Sequence, residues 1–508
     1  MKDMFNRINL KHKIILSFTL MFALFLIVCI RNTAYADDVN PNVFDKGTGT
    51  ERNPYIIETK QQLDAVRNDL SACYKLNKDL VFTEADYAEG GDFYNDSKGW
   101  EPIGTVDEPF KGNLDGNGHI IKNIEINRSS EKFNGLFGYS EGNITYLGAE
   151  SFHIEGRDNL GCIAGMNTGN ISECYVTGKM SILFLSIKSI FDGSSGGIVG
   201  VNDGTIVNCY NDADINEVIT KASEDANSNN IIGGVSGLNR GSINNCYNNA
   251  YIKGHAETGG ISGFVCSAGT VQKCYNTGNI KTYSEGSGGI VGAITNGNIK
   301  NCYNTGEVSD FSYGELSSKH GGIGGIAGYM TEDAVIDSCY NTGNIKNVYQ
   351  SYPNVNAAGG IVGTITDGNI KNCYNTGKIG GTDFTGGIAG YNGGYITACY
   401  NIGMIEGKES YYGEITGLCW KSTTDCYFLD RGIYGHGGIQ NIKAATPCSI
   451  VELKSLTTYS GFDFINVWEF NPENEYWLPT LKGMTNYAVV PEENSVEFAG
   501  GYGTVSEP

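Results

Sequence analysis

A recurring unit ends in Cys-Tyr nine times along this chain: at Cys174-Tyr175, Cys209-Tyr210, Cys246-Tyr247, Cys274-Tyr275, Cys302-Tyr303, Cys339-Tyr340, Cys373-Tyr374, Cys399-Tyr400 and Cys426-Tyr427. The steps between successive cysteines are 35, 37, 28, 28, 37, 34, 26 and 27 residues. A period in that range signals a solenoid, in which each unit buries its apolar face only against its neighbours. Inside one unit, Gly288-Gly289-Ile290-Val291-Gly292 leads through Asn298-Ile299-Lys300-Asn301 to Cys302-Tyr303-Asn304-Thr305-Gly306. Gly359-Gly360-Ile361-Val362-Gly363 runs to Cys373-Tyr374-Asn375-Thr376-Gly377 in the same way. Apolar residues come in short runs between turn-forming Gly and Asn, with no sustained 3.6-residue period, which excludes the helical solenoids. The turns do not fall at hairpin spacing, so each short strand must pair with its equivalent in the next unit. The expected fold is all-β, a right-handed parallel β-helix with coils rising about 4.8 Å and short helical caps at both ends.

Composition agrees with that class. The 508 residues include 71 Gly and only 10 Pro, with 18% charged residues and a hydrophobic fraction of 40%. Gly pairs precede Ile198, Val235, Ile261, Ile290, Ile326, Ile361 and Ile388, where neighbouring coils leave no room for a side chain. Met1 to Ala36 has the anatomy of a secretory signal peptide: a basic start, an apolar run from Ile14 to Ile30, and Ala34-Tyr35-Ala36 as an A-x-A cleavage site. The apolar run also reaches the lower length limit of a membrane anchor, which leaves an uncleaved segment as the alternative. Beyond that leader stand 30 basic and 55 acidic residues, a charge of -25. Nucleic acid is thereby excluded as a partner, because phosphate binding needs a basic footprint. The expected localisation is secreted, with association to a bacterial cell surface, and the only membrane contact is through the signal segment before cleavage.

Fourteen cysteines remain after the leader. An even count in a secreted chain suggests disulfides. Cysteines at one coil position point the same way along an in-register stack, however, and do not present the Cβ geometry that a disulfide requires. Cys174, Cys209, Cys246, Cys274, Cys302, Cys339, Cys373, Cys399 and Cys426 are therefore expected as a buried structural ladder of thiols. Asn211, Asn248, Asn276, Asn304, Asn341, Asn375 and Asn401 follow the Tyr of the unit, and their amides suit a second, hydrogen-bonded ladder. No Cys or His spacing matches a metal site, and the acid-rich stretch 223–230 lacks a calcium-loop pattern, so no cofactor is expected.

Gly135-Leu136-Phe137-Gly138, Gly142-Asn143-Ile144 and Leu147-Gly148, with the repeated Gly-Gly-Ile-x-Gly and Asn-Cys-Tyr-Asn-Thr-Gly, resemble GLUG-motif repeats over roughly Phe110 to Tyr427. The resemblance implies a repeat architecture found in bacterial secreted and surface proteins, including the non-catalytic part of zinc metallopeptidases that cleave immunoglobulin A. It does not carry a peptidase with it. None of His12, His119, His153, His255, His320 and His436 is followed by Glu, so the His-Glu-x-x-His signature is missing.

The expected division is a signal peptide over 1–36, an N-terminal cap over 37–109, GLUG-type repeats over 110–430, a C-terminal cap over 431–483 and an acidic linker or tail over 484–508. Thr59-Lys60-Gln61-Gln62 reads as a capping box ahead of Leu63, Val66 and Leu70. Thr446-Pro447 should start a second helical turn with Ile450, Leu453 and Leu456, and Trp468, Phe470, Tyr476 and Trp477 should seal the last coil. Units longer than 28 residues carry their extra length between the Asn-Thr-Gly turn and the next Gly pair, which places inserts on one face. Aromatic residues gather there: Phe311, Tyr313, Tyr349 and Tyr352 in long inserts, with Tyr283, Phe384, Tyr411 and Tyr412 in short ones. They are candidates for binding an extracellular protein or glycan. Their plain alternative role is to cover the edge of the sheet. The functional expectation is a non-enzymatic scaffold or adhesin, with a polysaccharide-degrading β-helix enzyme and a spacer for another domain as alternatives.

Overall fold

A parallel ladder of thirteen strands begins at Tyr55–Ile57, passes through Cys73–Leu76 and Asn113–Asp115, and ends at Thr423–Thr424. The structure is a computed structural model and describes residues 43–183, 193–218, 230–283, 286–310, 321–347, 357–407, 411–437, 445–470 and 478–484. Most strands of the ladder place one apolar side chain inward between two outward neighbours, as in Asn298–Lys300 and Asn369–Lys371, the period-2 pattern of a half-buried strand. Ile299 faces Val271 on one side and Ile336 on the other, and all three are buried. A second parallel sheet of ten strands runs from Phe137–Ser140 to Thr416–Cys419. A third wall carries the Tyr-Asn pairs, in which Tyr275–Asn276, Tyr303–Asn304 and Tyr340–Asn341 lie in register, and it ends on Thr446–Cys448. Equivalent segments pair with the next coil, and the ladders never close on themselves. This is a parallel β-helix.

One corner of the coil is made by the residue before each cysteine. Glu173, Asn208, Asn245, Lys273, Asn301, Ser338, Asn372, Ala398 and Asp425 all have φ between 51° and 55°. Left-handed backbone is penalised by Cβ, least for Asn, which explains why Asn holds four of these nine positions. The core is a set of single-residue columns. Ile252, Ile280, Val308, Ile345 and Ile379 form one of them, each buried between its counterparts above and below.

The ends differ from the sequence reading in three ways. At the front, the helix Lys60–Asp64 has the expected capping box, with Thr59 accepting from the Gln62 amide and Leu63 buried. The sheet already starts ahead of it at Tyr55, however, so the ladder begins well before residue 110. At the back, Thr446–Cys448 is a strand on Tyr427–Leu429, and the helix Ile450–Leu453 starts from a capping box of Ser449 and Glu452 instead. Pro447 accounts for the shift, because the residue before a proline is driven out of the α region. Trp468 does not seal the last coil. It lies along the side of the solenoid, 6.1 Å and 5.9 Å by ring centroid from Tyr374 and Tyr400, in an arm whose strands Trp468–Phe470 and Pro479–Leu481 pair antiparallel. Tyr476 and Trp477 lie outside the described residues.

Candidate functional site

The triplet Cys-Tyr-Asn gives three side chains to three different columns. The cysteines point into the core, where Cys302 accepts from the Cys274 amide at 3.4 Å and its thiol donates to the Lys300 carbonyl at 3.2 Å. The thiol-to-carbonyl contact recurs in every coil from Cys174 to Cys426 and the amide-to-sulfur contact in most of them, and all nine of these cysteines are buried as free thiols. Burial pushes the thiols of Cys174, Cys209, Cys246 and Cys274 well above their ordinary range, because a thiolate there would be unsolvated. Reaction with a thiol needs thiolate and access. In native protein, Ellman's reagent is therefore expected to titrate Cys73 first, the one described cysteine that is not buried, and to reach the ladder only after denaturant is added. Rapid modification of several thiols under native conditions would contradict this packing.

The asparagines form a continuous hydrogen-bonded ladder. Asn211 Nδ2 donates to Asn248 Oδ1 at 2.7 Å, and the chain of donors continues through Asn276, Asn304, Asn341 and Asn375 to Asn401 at 2.7–2.9 Å. The second amide hydrogen goes to the carbonyl two residues on, as from Asn304 to Gly306 at 2.8 Å. Each amide fits only because the second glycine of a Gly pair lies against it. A Cβ on Gly289 would collide with the Asn304 amide and the Gly325 carbonyl, and Gly260 and Gly325 stand in the same relation to Asn276 and Asn341. Both ends of the ladder break the two motifs together. Val176 replaces Asn in the first coil and Cys162 replaces the glycine; Phe428 replaces Asn in the last and Glu414 replaces the glycine.

Glu414 ends the ladder chemically. Its Oε2 accepts from Asn401 Nδ2 at 3.0 Å, and Arg431 Nη1 stands 3.4 Å away. Burial pushes this carboxyl from an ordinary 4.5 up to about 7, against the pull of Arg431. Glu217, buried and bonded to Asn230 Nδ2 at 2.7 Å, is raised to about 7 by the same cause. A carboxyl with a raised folded-state pKa binds a proton on folding, so its contribution is full below about pH 4.5 and is lost as the pH rises through about 7. Melting temperature is thus expected to fall across that interval, and Glu217→Gln/Glu414→Gln should flatten the profile. An unchanged slope in the double variant would remove these two groups as its source.

The tyrosines make the outward column. From Tyr175 to Tyr400 eight rings stack with centroids 4.8–5.1 Å apart and planes within 8° of parallel. Tyr340, Tyr374 and Tyr400 are buried beneath the C-terminal arm, whose Tyr459, Phe462, Trp468, Leu478 and Leu481 form one apolar cluster with them. Tyr400 donates to the Pro479 carbonyl at 2.7 Å and Tyr427 to the Ser460 carbonyl at 3.0 Å. The sequence reading overlooked this row, although its signal was present: the Tyr recurs as faithfully as the Cys before it.

Of the eight candidate aromatics, Phe311, Tyr313, Tyr349 and Tyr352 lie outside the described residues. Phe384 and Tyr411 come together with ring centroids 5.1 Å apart, and Tyr391 adds a third ring 6.2 Å from Phe384. Tyr411 is 43% and Tyr412 38% exposed, and Tyr412 pairs with Thr385 beside Phe384. Tyr283 stands apart, with Lys253 Nζ 5.1 Å above its ring. Among the described residues, no group of three or more His, Cys, Asp or Glu side chains is placed to hold a metal ion.

The GLUG motif matches at residues 283–309 and 354–380, two stretches that each carry the Gly pair, the inward isoleucines and the Cys-Tyr-Asn triplet described above. The chain carries GLUG-motif repeats. Among proteins similar to this GLUG-repeat chain, halomucin of Haloquadratum walsbyi is 28% identical over 190 residues, 36% of this chain and 2% of its own length. A Gly-rich membrane protein of Evansella cellulosilytica is 36% identical over 161 residues, 29% of this chain and 18% of its own. The match thus spans a small part of either relative. An immunoglobulin A1 protease candidate of Bacteroides ovatus aligns over 88% of this chain and 97% of its own at 18% identity, with a TM-score of 0.34. An IgA1 protease aligns over 64% of this chain and 22% of its own at 14% identity, with a TM-score of 0.35. Superpositions that loose carry no argument, and the fold rests on the strand pairing itself.

Proposed function

We propose that this repeat scaffold is a secreted or cell-surface adhesin without enzymatic activity, which binds an extracellular protein or glycan through its lateral face. The observation that carries the reading is the aromatic group at the insert corner. In the sequence the inserts fall between the segment equivalent to Ile280 and the next Gly pair, and at that corner Phe384 and Tyr391 stand on strands with Tyr411, just ahead of the strand Tyr412–Gly413, against Phe384. Large, stiff aromatic side chains bring contact area to an interface at low entropic cost. The relatives support a surface setting only through the name of one of them, a membrane protein. The signal segment would deliver the chain across the membrane and would itself be removed.

The test is a binding screen of residues 37–508 against extracellular matrix proteins and a glycan array, with Phe384→Ala/Tyr411→Ala alongside. Binding by the native chain and a loss of about tenfold or more in the variant is expected, the usual effect of truncating aromatic anchors. A native chain that binds nothing, or a variant that binds as well, would overturn the reading.

A further inference from the structure

Among the described residues, the C-terminal arm covers one end of the tyrosine row. Within that set the arm packs on the row from Tyr427 back to Tyr303, while Tyr175, Tyr210 and Tyr247 upstream are half-buried in the same register. We infer that this upstream stretch of the row is a docking surface for an extended peptide segment of a partner protein that carries aromatic side chains. The inference shares with the proposed function only the premise of a binding scaffold; its site is a different column of the coil.

Continuity with the interface beside it identifies the occupant. The rings of the row lie face to face at 4.8–5.1 Å, so each face is used by a neighbour and the row presents ring edges and the hydroxyls of Tyr210 and Tyr247, that of Tyr175 already donating to Glu150 Oε1 at 3.0 Å. Ring edges are electropositive and attract the faces of other rings, which gives tilted or T-shaped pairs. The arm uses this mode: Tyr459 meets Tyr400 and Tyr427 at 62° and 65°, and Phe462 meets Tyr427 at 71°. The phenol groups then donate to backbone carbonyls of the arm, at Pro479 and Ser460. A sugar ring, by contrast, needs an open aromatic face to stack on, and the row presents none. Peptide therefore fits where glycan does not.

The margins of the open stretch suit a partner that comes and goes. Beneath the arm they include the buried apolar residues Ala398 and Ile402. Upstream the equivalent positions are polar, with Asn245 donating to Asn208 at 2.7 Å on one side and Thr277 to Asn249 at 2.6 Å on the other. An aromatic centre with a polar rim is the anatomy of a protein interface between separately folded partners.

The probe is a fluorescently labelled synthetic peptide with the sequence of residues 459–470, which supplies Tyr459, Phe462, Phe464, Trp468 and Phe470. Fluorescence anisotropy against the chain 37–508 is expected to show saturable binding, weakened about tenfold or more by Tyr210→Ala/Tyr247→Ala. Far-UV circular dichroism checks that the variant is folded. Tyr210→Phe/Tyr247→Phe, which keeps the stack and deletes only the hydroxyls, should weaken binding by a smaller factor. The proposal falls if native protein does not bind the peptide up to about 1 mM. It also falls if a folded Ala variant binds as well as wild type, or if the row takes a soluble polysaccharide instead of the peptide. None of these failures touches the corner site, which is read with the Phe384 and Tyr411 variant.

Discussion

Gly289→Ala is expected to destabilise the protein by about 3 kcal/mol or more, an unusually large effect for one added methyl group. The alanine Cβ would overlap the Asn304 amide and the Gly325 carbonyl oxygen, and neither can move alone. Asn304 is bonded to Asn276 and Asn341, and the Gly325 carbonyl belongs to the backbone of the next coil. Overpacking a rigid interior usually costs about 1–3 kcal/mol, and strain on a fully satisfied buried polar network adds to that. Gly380→Ala is the internal control. The nearest atom to a Cβ there is the Ile345 carbonyl oxygen at 3.7 Å, so the change should be neutral or stabilise by up to about 1 kcal/mol through the unfolded state. Guanidinium denaturation followed by circular dichroism measures both. Combining Gly289→Ala with Asn304→Ala should cost less than the sum of the two single changes, since the amide that blocks the methyl is gone. Equal effects at 289 and 380 would refute the Gly–Asn contact as the reason for the glycine pairs.

That contact also marks the limit of what the sequence discloses. Columns are legible where one residue type recurs at one position, which is why the spacing of the cysteines and asparagines suffices to assign them to stacks. The dependence of the second glycine on the asparagine is written in the chain, because Cys162 with Val176 and Glu414 with Phe428 depart together. It becomes readable only once the two positions are known to touch. The N-terminal strands at Tyr55 and Cys73 escaped because they lack the repeat motif, yet their backbones pair like any other coil. Trp468 escaped for a different reason. Its aromatic character is plain, but where a non-repeating arm docks is decided by long-range packing, here against Tyr374 and Tyr400.

Asn304→Ala should cost about 3 kcal/mol on its own, because its loss is felt in both neighbouring coils. The Asn276 amide loses its acceptor, while the Asn341 oxygen and the Gly306 carbonyl each lose a donor, all in the buried interior. Each buried polar group left unsatisfied costs about 1–3 kcal/mol. At the start of the ladder the cost should be smaller, since the residue opposite Asn211 in the coil above is Val176, which has no amide to donate, and among the described residues Asn211 Oδ1 accepts from the nearby Ala213 amide alone. Asn304→Asp separates hydrogen bonding from packing. One carboxyl oxygen can still accept from Asn276, but the other faces the Asn341 oxygen and the Gly306 carbonyl and must carry a proton to donate. Burial and those acceptors favour the protonated form, so the folded-state pKa of the new carboxyl lies above its unfolded value of about 3.9. The variant should therefore approach wild-type stability near pH 4 and lose it steadily as the pH rises toward 8, while Asn304→Ala stays low throughout. Denaturation midpoints across that range decide the matter: an Asp variant with no pH dependence beyond wild type would mean that the amides stack without depending on their hydrogen bonds.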